Sequence, residues 1–228
     1  MTDPITLTFA GAYAVAVVAL LVWLQAIPTE LRQYCYPLLG LVLLAAVTNT
    51  ASGFAVGALS VGEGTLDVPN LLDGAVAYGT LFGLAAYLAG VSRRKLGVAI
   101  ALPVSMNLAF QGTALASGLV AILGALIVVG GFVVLCWLFA GPFMRTVQTT
   151  QADRQRLYRK FRNLLLFLIG VLIITAFTTL DVFDADVSAI LVAYIDFLLR
   201  VGFAAFLFAN VGVFREFGAA VAAGDTDH

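Results

Sequence analysis

The sequence predicts an all-α membrane protein built as a bundle of seven transmembrane helices. The 228-residue chain is 62% hydrophobic and only 11% charged, with a mean hydropathy of +1.04. A soluble domain has about 45–50% apolar and about 25% charged residues. This composition leaves too little charge to solvate a water-soluble enzyme, a disordered chain or a nucleic-acid-binding protein. The number of long apolar runs and the one-sided placement of basic residues point to the same class.

Seven apolar runs approach the length of about 20 residues that a helix needs to cross the hydrocarbon core of a bilayer. They lie near Ile5–Ile27, Tyr34–Leu59, Pro69–Gly90, Leu96–Leu115, Gly118–Ala140, Arg162–Leu180 and Val187–Asn210. The first run lacks a basic leader and a small-residue cleavage site, so we expect a retained span rather than a signal peptide. Because the spans use almost the whole chain, we predict one seven-helix domain at residues 1–218 and a short flexible cytoplasmic tail at residues 219–228.

The basic residues other than Arg200 fall only in the loops after the first, third and fifth spans or after the last span. They are Arg32, Arg93, Arg94, Lys95, Arg145, Arg154, Arg156, Arg159, Lys160, Arg162 and Arg215. The opposite side of the bundle carries only acidic residues, which are Asp3, Glu63, Asp67, Asp181, Asp184 and Asp186. The positive-inside rule therefore predicts an outside N-terminus and a cytoplasmic C-terminus for a protein that crosses the cell membrane several times.

The basic cytoplasmic face is the predicted contact for partners other than the lipid bilayer itself. Residues 145–163 are expected to extend the sixth span as a basic helix, with Leu157, Tyr158 and Phe161 turned toward the bundle. This stretch could bind anionic lipid or a protein, or it could be an ordinary anchor. The formal net charge of −1 gives no reason to expect a nucleic acid.

Three ionisable residues lie inside predicted spans. Arg200 is near the middle of the seventh span, Asp196 precedes it by one helical turn on the same face, and Asp73 lies within the third span. A charge in hydrocarbon costs about 2.5–3.5 kcal/mol on insertion scales, so such groups turn inward and pair. We predict an internal charge cluster in which Arg200 bridges Asp196 and Asp73.

The predicted cluster contains two carboxylates and one guanidinium that stays protonated. The surplus negative charge predicts that one carboxyl, preferentially that of Asp73, is protonated or lies near water. Two roles for the cluster stay open. It could be a buried strut that joins the third span to the seventh, or it could be part of an ion or proton pathway.

Cysteine and histidine supply no recognisable catalytic or metal-binding pattern. Cys35 and Cys136 lie in or at the edge of apolar runs, without the spacing of a metal site or a disulfide framework. The only histidine is His228, so a Ser-His or Cys-His pair would have no base. We therefore expect no bound metal and no catalytic residue, and an intramembrane enzyme is the least favoured interpretation.

Two short sequences carry a family resemblance. Residues 196–203 read Asp-Phe-Leu-Leu-Arg-Val-Gly-Phe, which resembles the seventh-helix signature of the microbial rhodopsins, Asp-x-x-x-Lys-Val-Gly-Phe. Residues 161–163 read Phe-Arg-Asn, similar to the Leu-Arg-Asn at the start of that family's sixth helix. The resemblance implies an opsin-like bundle of archaeal type that could form homo-oligomers. It also places Asp73 where proton-pumping members keep the Schiff-base counterion.

Several positions depart from the retinal-binding pattern of that family. The lysine that carries retinal as a Schiff base is matched by Arg200, and a guanidinium is not a free amine and cannot form this bond. The other positions that match the lost retinal pocket are Gly74, Ile169, Leu172, Ile173 and Ala176. Asn70 is matched to an arginine of the family's third helix, and Leu84 to a carboxylate that donates protons. The departures predict a lysine-less opsin relative with no covalent retinal, no other cofactor and no light-driven pumping.

The functional hypotheses fall into different classes. The favoured one is a light-independent binding, regulatory or accessory membrane protein. One alternative is a light-independent conductor of anions or protons that uses Arg200, Asp196 and Asp73. Another is noncovalent binding of a carotenoid or lipid in the vacated pocket. The small and aliphatic residues at the pocket positions could leave a cavity or let the helices close together, and the sequence does not distinguish these outcomes.

Overall fold

The computed structural model describes residues 3–61, 64–113, 115, 118–178 and 185–214, with the backbone alone for residues 176–178 and 185. The α-helices are α1 (Pro4–Ala26), α2 (Arg32–Gly53), α3 (Val68–Ala89), α4 (Arg93–Thr113), α5 (Leu119–Ala140), α6 (Pro142–Val147), α7 (Ala152–Thr178), α8 (Ala185–Phe197) and α9 (Phe203–Asn210). The remaining described elements are 3₁₀ turns at Thr29–Leu31 and Val211–Phe214, a π-helical turn at Leu198–Gly202, and strands β1 (Ala58–Val61) and β2 (Gly64–Asp67).

Seven rods of helix form one bundle, as predicted. Helices α1 to α5 and the rod that runs from α8 through the π turn into α9 are long and apolar enough to cross a membrane. The remaining helix of the seven is α7, which precedes α8 in the chain and whose basic first turns lead into an apolar stretch. Rods that are neighbours in the chain pack side by side, and contacts of α1 with α8 and of α3 with α7 close the bundle.

The two ends of the bundle differ in charge. At one end, which we call the acidic end, Asp3 precedes α1 and Asp67 precedes α3. Asp3 Oδ1 accepts hydrogen bonds from the backbone of Ile5 and Thr6, and the Thr6 hydroxyl donates to Asp3 Oδ2 at 2.6 Å. The Thr6 hydroxyl therefore lowers the pKa of the Asp3 carboxyl. Such N-terminal caps satisfy amide groups that the helix itself leaves without partners.

The opposite end, which we call the basic end, contains the first turns of α2, α4 and α7. There Arg154 of α7 reaches across to the last turn of α3, and its Nε donates to the carbonyl of Leu88 at 2.8 Å. A cation at a helix C-terminus is stabilised by the helix dipole and by the carbonyls that lack helical partners. Arg154 thus connects α7 to α3 as well as adding positive charge to this end. Arg215, Glu63, Asp181, Asp184 and the predicted tail 219–228 lie outside the described residues.

The second span ends earlier than predicted. We expected the helix to continue to Leu59, but α2 ends at Gly53 and Leu59 belongs to β1. Ala55 has φ +56° and Gly57 has φ +84°, left-handed conformations that a helix cannot contain. The chain then forms an antiparallel hairpin in which Leu59 pairs with Leu66. Hydrophobicity extends past the helix end because the hairpin is itself apolar.

The basic stretch 145–163 is interrupted, contrary to the expectation of one continuous helix. The short helix α6 ends at Val147 and α7 begins at Ala152. Between them the hydroxyls of Thr149 and Thr150 donate to backbone carbonyls three residues earlier, at 2.7 Å in each case. Such local bonds compete with helix formation.

Within α7, the inward face of the basic stretch agrees with the sequence prediction. Leu157, Tyr158 and Phe161 are all at least 98% buried. The Tyr158 hydroxyl donates to the carbonyl of Phe139 at 2.7 Å, and the ring of Phe161 packs on that of Phe203 with centroids 4.6 Å apart. These side chains close the interior of the bundle near the basic end.

The aromatic packing near the basic end predicts a large effect of truncating Phe161. Phe161→Ala should lower the free energy of unfolding by about 3–5 kcal/mol, because it removes a fully buried ring from a packed site. Thermal unfolding of the purified protein in mild detergent measures the change. Phe167→Ala on the same helix is the matched control, since Phe167 is 65% exposed on the lipid-facing side and loses little packing. Equal melting temperatures for the two variants would contradict the assignment of this core.

Candidate functional site

The π-helical turn brings Arg200 into the centre of the bundle. The α-helical period of α8 ends at Phe197, and residues Leu198–Gly202 form one π turn before α9 begins. A π turn adds a residue to the helical repeat and is often found at functional sites. Arg200 is only 1% exposed and is the largest fully buried side chain among the described residues.

The structure brings Arg200, Asp73 and Asp196 into direct contact. Arg200 Nη2 lies 2.5 Å from Asp73 Oδ2 on α3, and Arg200 Nη1 pairs with Asp196 Oδ2 one turn earlier on α8. The Asp73 side chain is 2% exposed, whereas that of Asp196 is 24% exposed. The two ion pairs join α3 to the continuous helix formed by α8 and α9.

Tyr13 of α1 is a fourth member of this group, which we call the arginine cluster. Its hydroxyl accepts a hydrogen bond from Arg200 Nη1 at 3.4 Å and donates to Asp196 Oδ2 at 3.5 Å. The ring packs against Phe197 with centroids 5.0 Å apart. The sequence does not single out Tyr13, because a tyrosine in an apolar helix more often lies at the membrane interface. The need of a buried tyrosine hydroxyl for a partner is the one available signal.

Two polar atoms of the arginine cluster are buried without hydrogen-bond partners among the described residues, Asp73 Oδ1 and Arg200 Nε. Because Asp73 Oδ1 has no hydrogen-bond partner among the described residues, it is the oxygen on which a proton could reside. The charges of the two carboxylates and one guanidinium do not balance, which favours neutralisation of one carboxyl in a low dielectric. Protonation of Asp73 stays a prediction.

The geometry disfavours the use of Arg200 as an anion site. Both terminal nitrogens of the guanidinium already face carboxylates, and the cluster carries an excess of negative charge when both carboxylates are ionised. An anion that approached Nη1 or Nη2 would have to displace Asp196 or Asp73. Removing one partner from a buried ion pair is strongly destabilising.

A cavity of about 520 Å³ lies beside the arginine cluster, inside the bundle. Arg200 and Asp196 form part of its wall. Polar residues line the part toward the acidic end: Thr6, Asn49, Ser52, Asn70, Gln111 and Ser188. Apolar residues line the deeper part: Phe82, Met106, Val128, Leu135, Ile169 and Leu172. The cavity is therefore amphipathic along its length.

The positions that match the lost retinal pocket lie in the wall of this cavity. Gly74, Ile169, Leu172, Ile173 and Arg200 all line it, and the side chain of Ala176 lies outside the described ones. The sequence left open whether the small side chains leave a cavity or let the helices close together. The structure has the cavity. Asn70 also lines the cavity, whereas Leu84 lines a separate groove on the outside of the bundle.

Gly74 leaves room on α3 for the side chain of Asn107 on α4. A Cβ atom at this position would lie 2.7 Å from Asn107 Oδ1, a distance that real Cβ atoms do not adopt. Asn107 Nδ2 in turn donates to the carbonyl of Leu71 on α3 at 3.2 Å. The polar side chain of Asn107 therefore occupies the space beside Gly74, so that this part of the wall is a hydrogen-bonded contact between helices.

Among the described residues, no group of three histidine, cysteine, aspartate or glutamate side chains could hold a metal ion. Cys35 is buried and Cys136 is partly buried, and both are free thiols. The chemistry available at the arginine cluster and in the cavity wall is that of one guanidinium with several carboxyls, phenols, hydroxyls and amides. These groups are suited to binding and to proton exchange.

Comparisons with known proteins give the same class as the fold. The chain matches no protein-family model. It is 26% identical to sensory rhodopsin-2 of Natronomonas pharaonis over 202 residues, which cover 86% of this chain and 84% of that protein. It superposes on the thermophilic rhodopsin of Rubrobacter xylanophilus with a TM-score of 0.83 and 16% identity, covering 94% and 98% of the two chains. For the light-driven proton pump of Coccomyxa subellipsoidea, the TM-score is 0.79 and the identity 17%, covering 92% and 98%.

The fold and the sequence similarity together define a multi-pass membrane protein with the helical-bundle fold of the microbial rhodopsins. The resemblance to the microbial rhodopsin family that residues 196–203 and 161–163 predicted is confirmed. The solved structures share the fold at identities below 20%.

The arginine cluster predicts that removal of the guanidinium alone destabilises the protein more than removal of all three charges. Arg200→Met should lower the free energy of unfolding by about 3–5 kcal/mol, because the carboxyls of Asp73 and Asp196 then lose the guanidinium that both contact and the cluster keeps an unpaired negative charge. The triple variant with Asp73→Asn and Asp196→Asn added should regain most of this loss. Thermal unfolding in detergent measures both, with exposed Arg156→Met as the control. A melting temperature unchanged by Arg200→Met would show that the cluster does not hold the bundle together.

The surplus carboxylate predicts an infrared signature. The wild-type protein near neutral pH should show a carboxylic acid C=O band that disappears in Asp73→Asn, because a proton neutralises the excess charge of the cluster. Asp67→Asn, at the start of α3, is the control and should leave the band in place. The absence of a band assignable to Asp73 would disprove its protonation.

Proposed function

We propose that this protein is a light-independent binding protein of the membrane, which holds a small noncovalent ligand in its interior cavity and forms no retinal Schiff base. The observation that carries the proposal is the amphipathic cavity of about 520 Å³, whose wall includes Arg200. Ligand pockets in proteins commonly have volumes of about 300–1,000 Å³ and are mostly apolar with a few placed polar groups. The cavity has both properties.

The absence of a Schiff base follows from the chemistry of the residue at the matched position. Arg200 cannot supply the free amine that this bond needs, and its terminal nitrogens are engaged by Asp73 and Asp196. The two lysines of the chain, Lys95 and Lys160, are exposed at the basic end and far from the cavity wall. Without a covalent chromophore the chain has no group that would drive a light-dependent pump.

The lining of the cavity favours an uncharged ligand with an apolar body and a polar end. The apolar body would lie in the deeper part between α3, α5 and α7, and the polar end would face Asn70, Gln111 or Ser188. Ser188 Oγ is buried without a hydrogen-bond partner among the described residues, so it is free to bind such a group. An anionic ligand would meet Asp67 and Asp196 in the wall. A carotenoid or a single-chain lipid fits this description.

A regulatory role could follow from ligand binding. The relative at 26% identity is named a sensory rhodopsin. A ligand that contacts α8 beside the π turn could shift the position of α9 at the basic end. A partner protein bound at that end would then respond to the presence of the ligand. We propose no catalytic activity. The Ser52 hydroxyl in the cavity wall does donate to Asp67 Oδ1 at 2.9 Å, but that same oxygen caps α3 by accepting from the backbone of Asn70, and among the described residues the pair has no histidine beside it to act as a base.

Light-independent proton conduction is the second candidate. The polar side chains between the arginine cluster and the acidic end favour it, since they could hold water. The buried aromatic residues Phe82, Phe139 and Phe161 on the basic side of the cluster weigh against it. Proton flux into vesicles reconstituted with wild-type protein, and its loss in folded Asp73→Asn, would favour conduction over ligand binding.

Binding in the cavity predicts a co-purifying molecule. An organic extract of the protein purified in mild detergent should contain an apolar compound in near-stoichiometric amount by mass spectrometry. Ala193→Phe should lower this amount at least tenfold, because Ala193 lines the cavity and a phenyl ring would fill it. Ala19→Phe on the lipid-facing side of α1 is the matched control. Equal yields from both variants would place the molecule outside the cavity.

The guanidinium of Arg200 predicts that added retinal forms no covalent bond with this residue in the wild-type protein. After incubation with all-trans retinal and reduction with borohydride, the wild-type protein should carry no retinyl adduct at position 200, because Arg200 is not an amine nucleophile. Arg200→Lys should carry one if the cavity is retained, and peptide mass spectrometry would locate it. An adduct at position 200 of the wild type would contradict the proposal.

A further inference from the structure

A second concave surface lies on the outside of the bundle and shares no lining residue with the interior cavity. It is a groove of about 480 Å³ between α2, α3 and α4. Its lining is almost entirely apolar: Pro37, Ala75, Val76, Gly79, Thr80, Gly83, Leu84, Tyr87, Leu96, Ile100 and Val104. The groove opens toward the lipid.

The groove has the length of one leaflet of a bilayer. Along α3 it runs from Ala75 to Tyr87, which is about 18 Å at 1.5 Å per helical residue. Half of the hydrocarbon core is about 15 Å. Tyr87 and Leu96 mark the end of the groove that lies at the basic end of the bundle. A linear hydrocarbon chain could therefore lie along the whole groove.

Two buried glycines set the depth of the groove. A Cβ at Gly83 would lie 3.0 Å from Ile100 Cγ1, and one at Gly79 would lie 3.3 Å from Val104 Cγ2. Because α3 presents no side chain at these positions, α4 packs closely against it and its side chains form one wall. Pro37 of α2 forms the other. The concave shape thus depends on the absence of side chains at Gly79 and Gly83.

Three basic residues stand at the basic end of the groove. Arg93, Arg94 and Lys95 form the first turn of α4, directly before Leu96 in the groove wall, and all three are exposed. Residues 84–104 contain no aspartate or glutamate, so nothing nearby in the chain neutralises this charge. The apolar groove and its positive end together match the two parts of an anionic phospholipid.

We propose that the groove binds one anionic phospholipid, with an acyl chain between Pro37 and Ile100 and the phosphate on the side chains of Arg93, Arg94 and Lys95. Basic pockets between transmembrane helices bind anionic head groups, and each basic residue near the surface adds about fivefold to affinity. Van der Waals contact with a groove of fixed shape would hold the chain in place more firmly than bulk lipid does. The inference is independent of the ligand in the interior cavity.

Native mass spectrometry of the detergent-purified protein tests the head-group contact. Titration with phosphatidylglycerol should give one adduct that is retained at higher collision energy than the phosphatidylcholine adduct with the same acyl chains. The variant Arg93→Gln/Arg94→Gln/Lys95→Gln should lower the apparent affinity for phosphatidylglycerol about 100-fold. The matched control, Arg156→Gln/Arg159→Gln/Lys160→Gln, removes the same charge from exposed positions of α7 and should change it less than fivefold. Equal losses in the two variants would overturn the site.

A groove-filling variant tests the acyl-chain contact. Thr80→Phe should abolish retention of the phosphatidylglycerol adduct. Val133→Phe is the control and should leave retention unchanged, because Val133 is 61% exposed on the lipid-facing side of α5. Melting temperatures in detergent establish that both variants are folded. If the groove is instead covered by a second copy of this chain, the spectra will show a dimer that Thr80→Phe dissociates and that the charge variant leaves intact. That result would overturn the lipid proposal.

Discussion

The ion pairs of Arg200 with Asp73 and Asp196 are the interaction on which the interior of this bundle depends. In lipid, helices gain nothing from the hydrophobic effect when they associate, so packing and polar contacts must hold them together. The guanidinium joins α3 to α8 and, through the Tyr13 hydroxyl, both of them to α1. A buried charge of this kind can exist only if its partners are in place. The π turn at Leu198–Gly202 fits this requirement, because it lies where the guanidinium meets its partners.

The halves of the bundle on either side of this cluster differ in packing. Toward the basic end, Phe82, Phe139, Phe161 and Phe203 fill the interior. Toward the acidic end, amide and hydroxyl side chains line an open cavity. The hydrogen bond from Asn107 to the Leu71 carbonyl keeps α3 and α4 at a fixed separation there. An interior that is open on one side of a charged layer and packed on the other suits the retention of a ligand better than passage across the membrane.

The charged ends and the lipid-facing surface add a second level of organisation. The basic residues at the starts of α4 and α7 make different contacts, although the sequence alone groups them as one basic face. Arg154 is tied to the last turn of α3, while Arg93, Arg94 and Lys95 extend from the start of α4 beside an apolar groove. The interior cavity and the exterior groove thus lie on opposite sides of α3, separated by the backbone of that helix.

The amino-acid sequence by itself determined the membrane class, the seven rods and the inward face of α7 at Leu157, Tyr158 and Phe161. Hydrophobic length and helical periodicity are local properties, so they can be read without the fold. The family resemblance also followed from residues 196–203 and 161–163, since an ordered signature in one helix survives many substitutions elsewhere. The end of α2 was misplaced because hydrophobicity alone does not report the left-handed turn at Ala55 and Gly57.

The tertiary structure alone decided the rest. It placed Tyr13 beside Arg200, inserted a π turn that no sequence pattern marks, and assigned the space beside Gly74 to Asn107. It also left a cavity where the pocket positions carry small and aliphatic side chains. These features arise from contacts between residues far apart in the chain, and whether helices close over a missing side chain depends on all the other contacts that hold them apart.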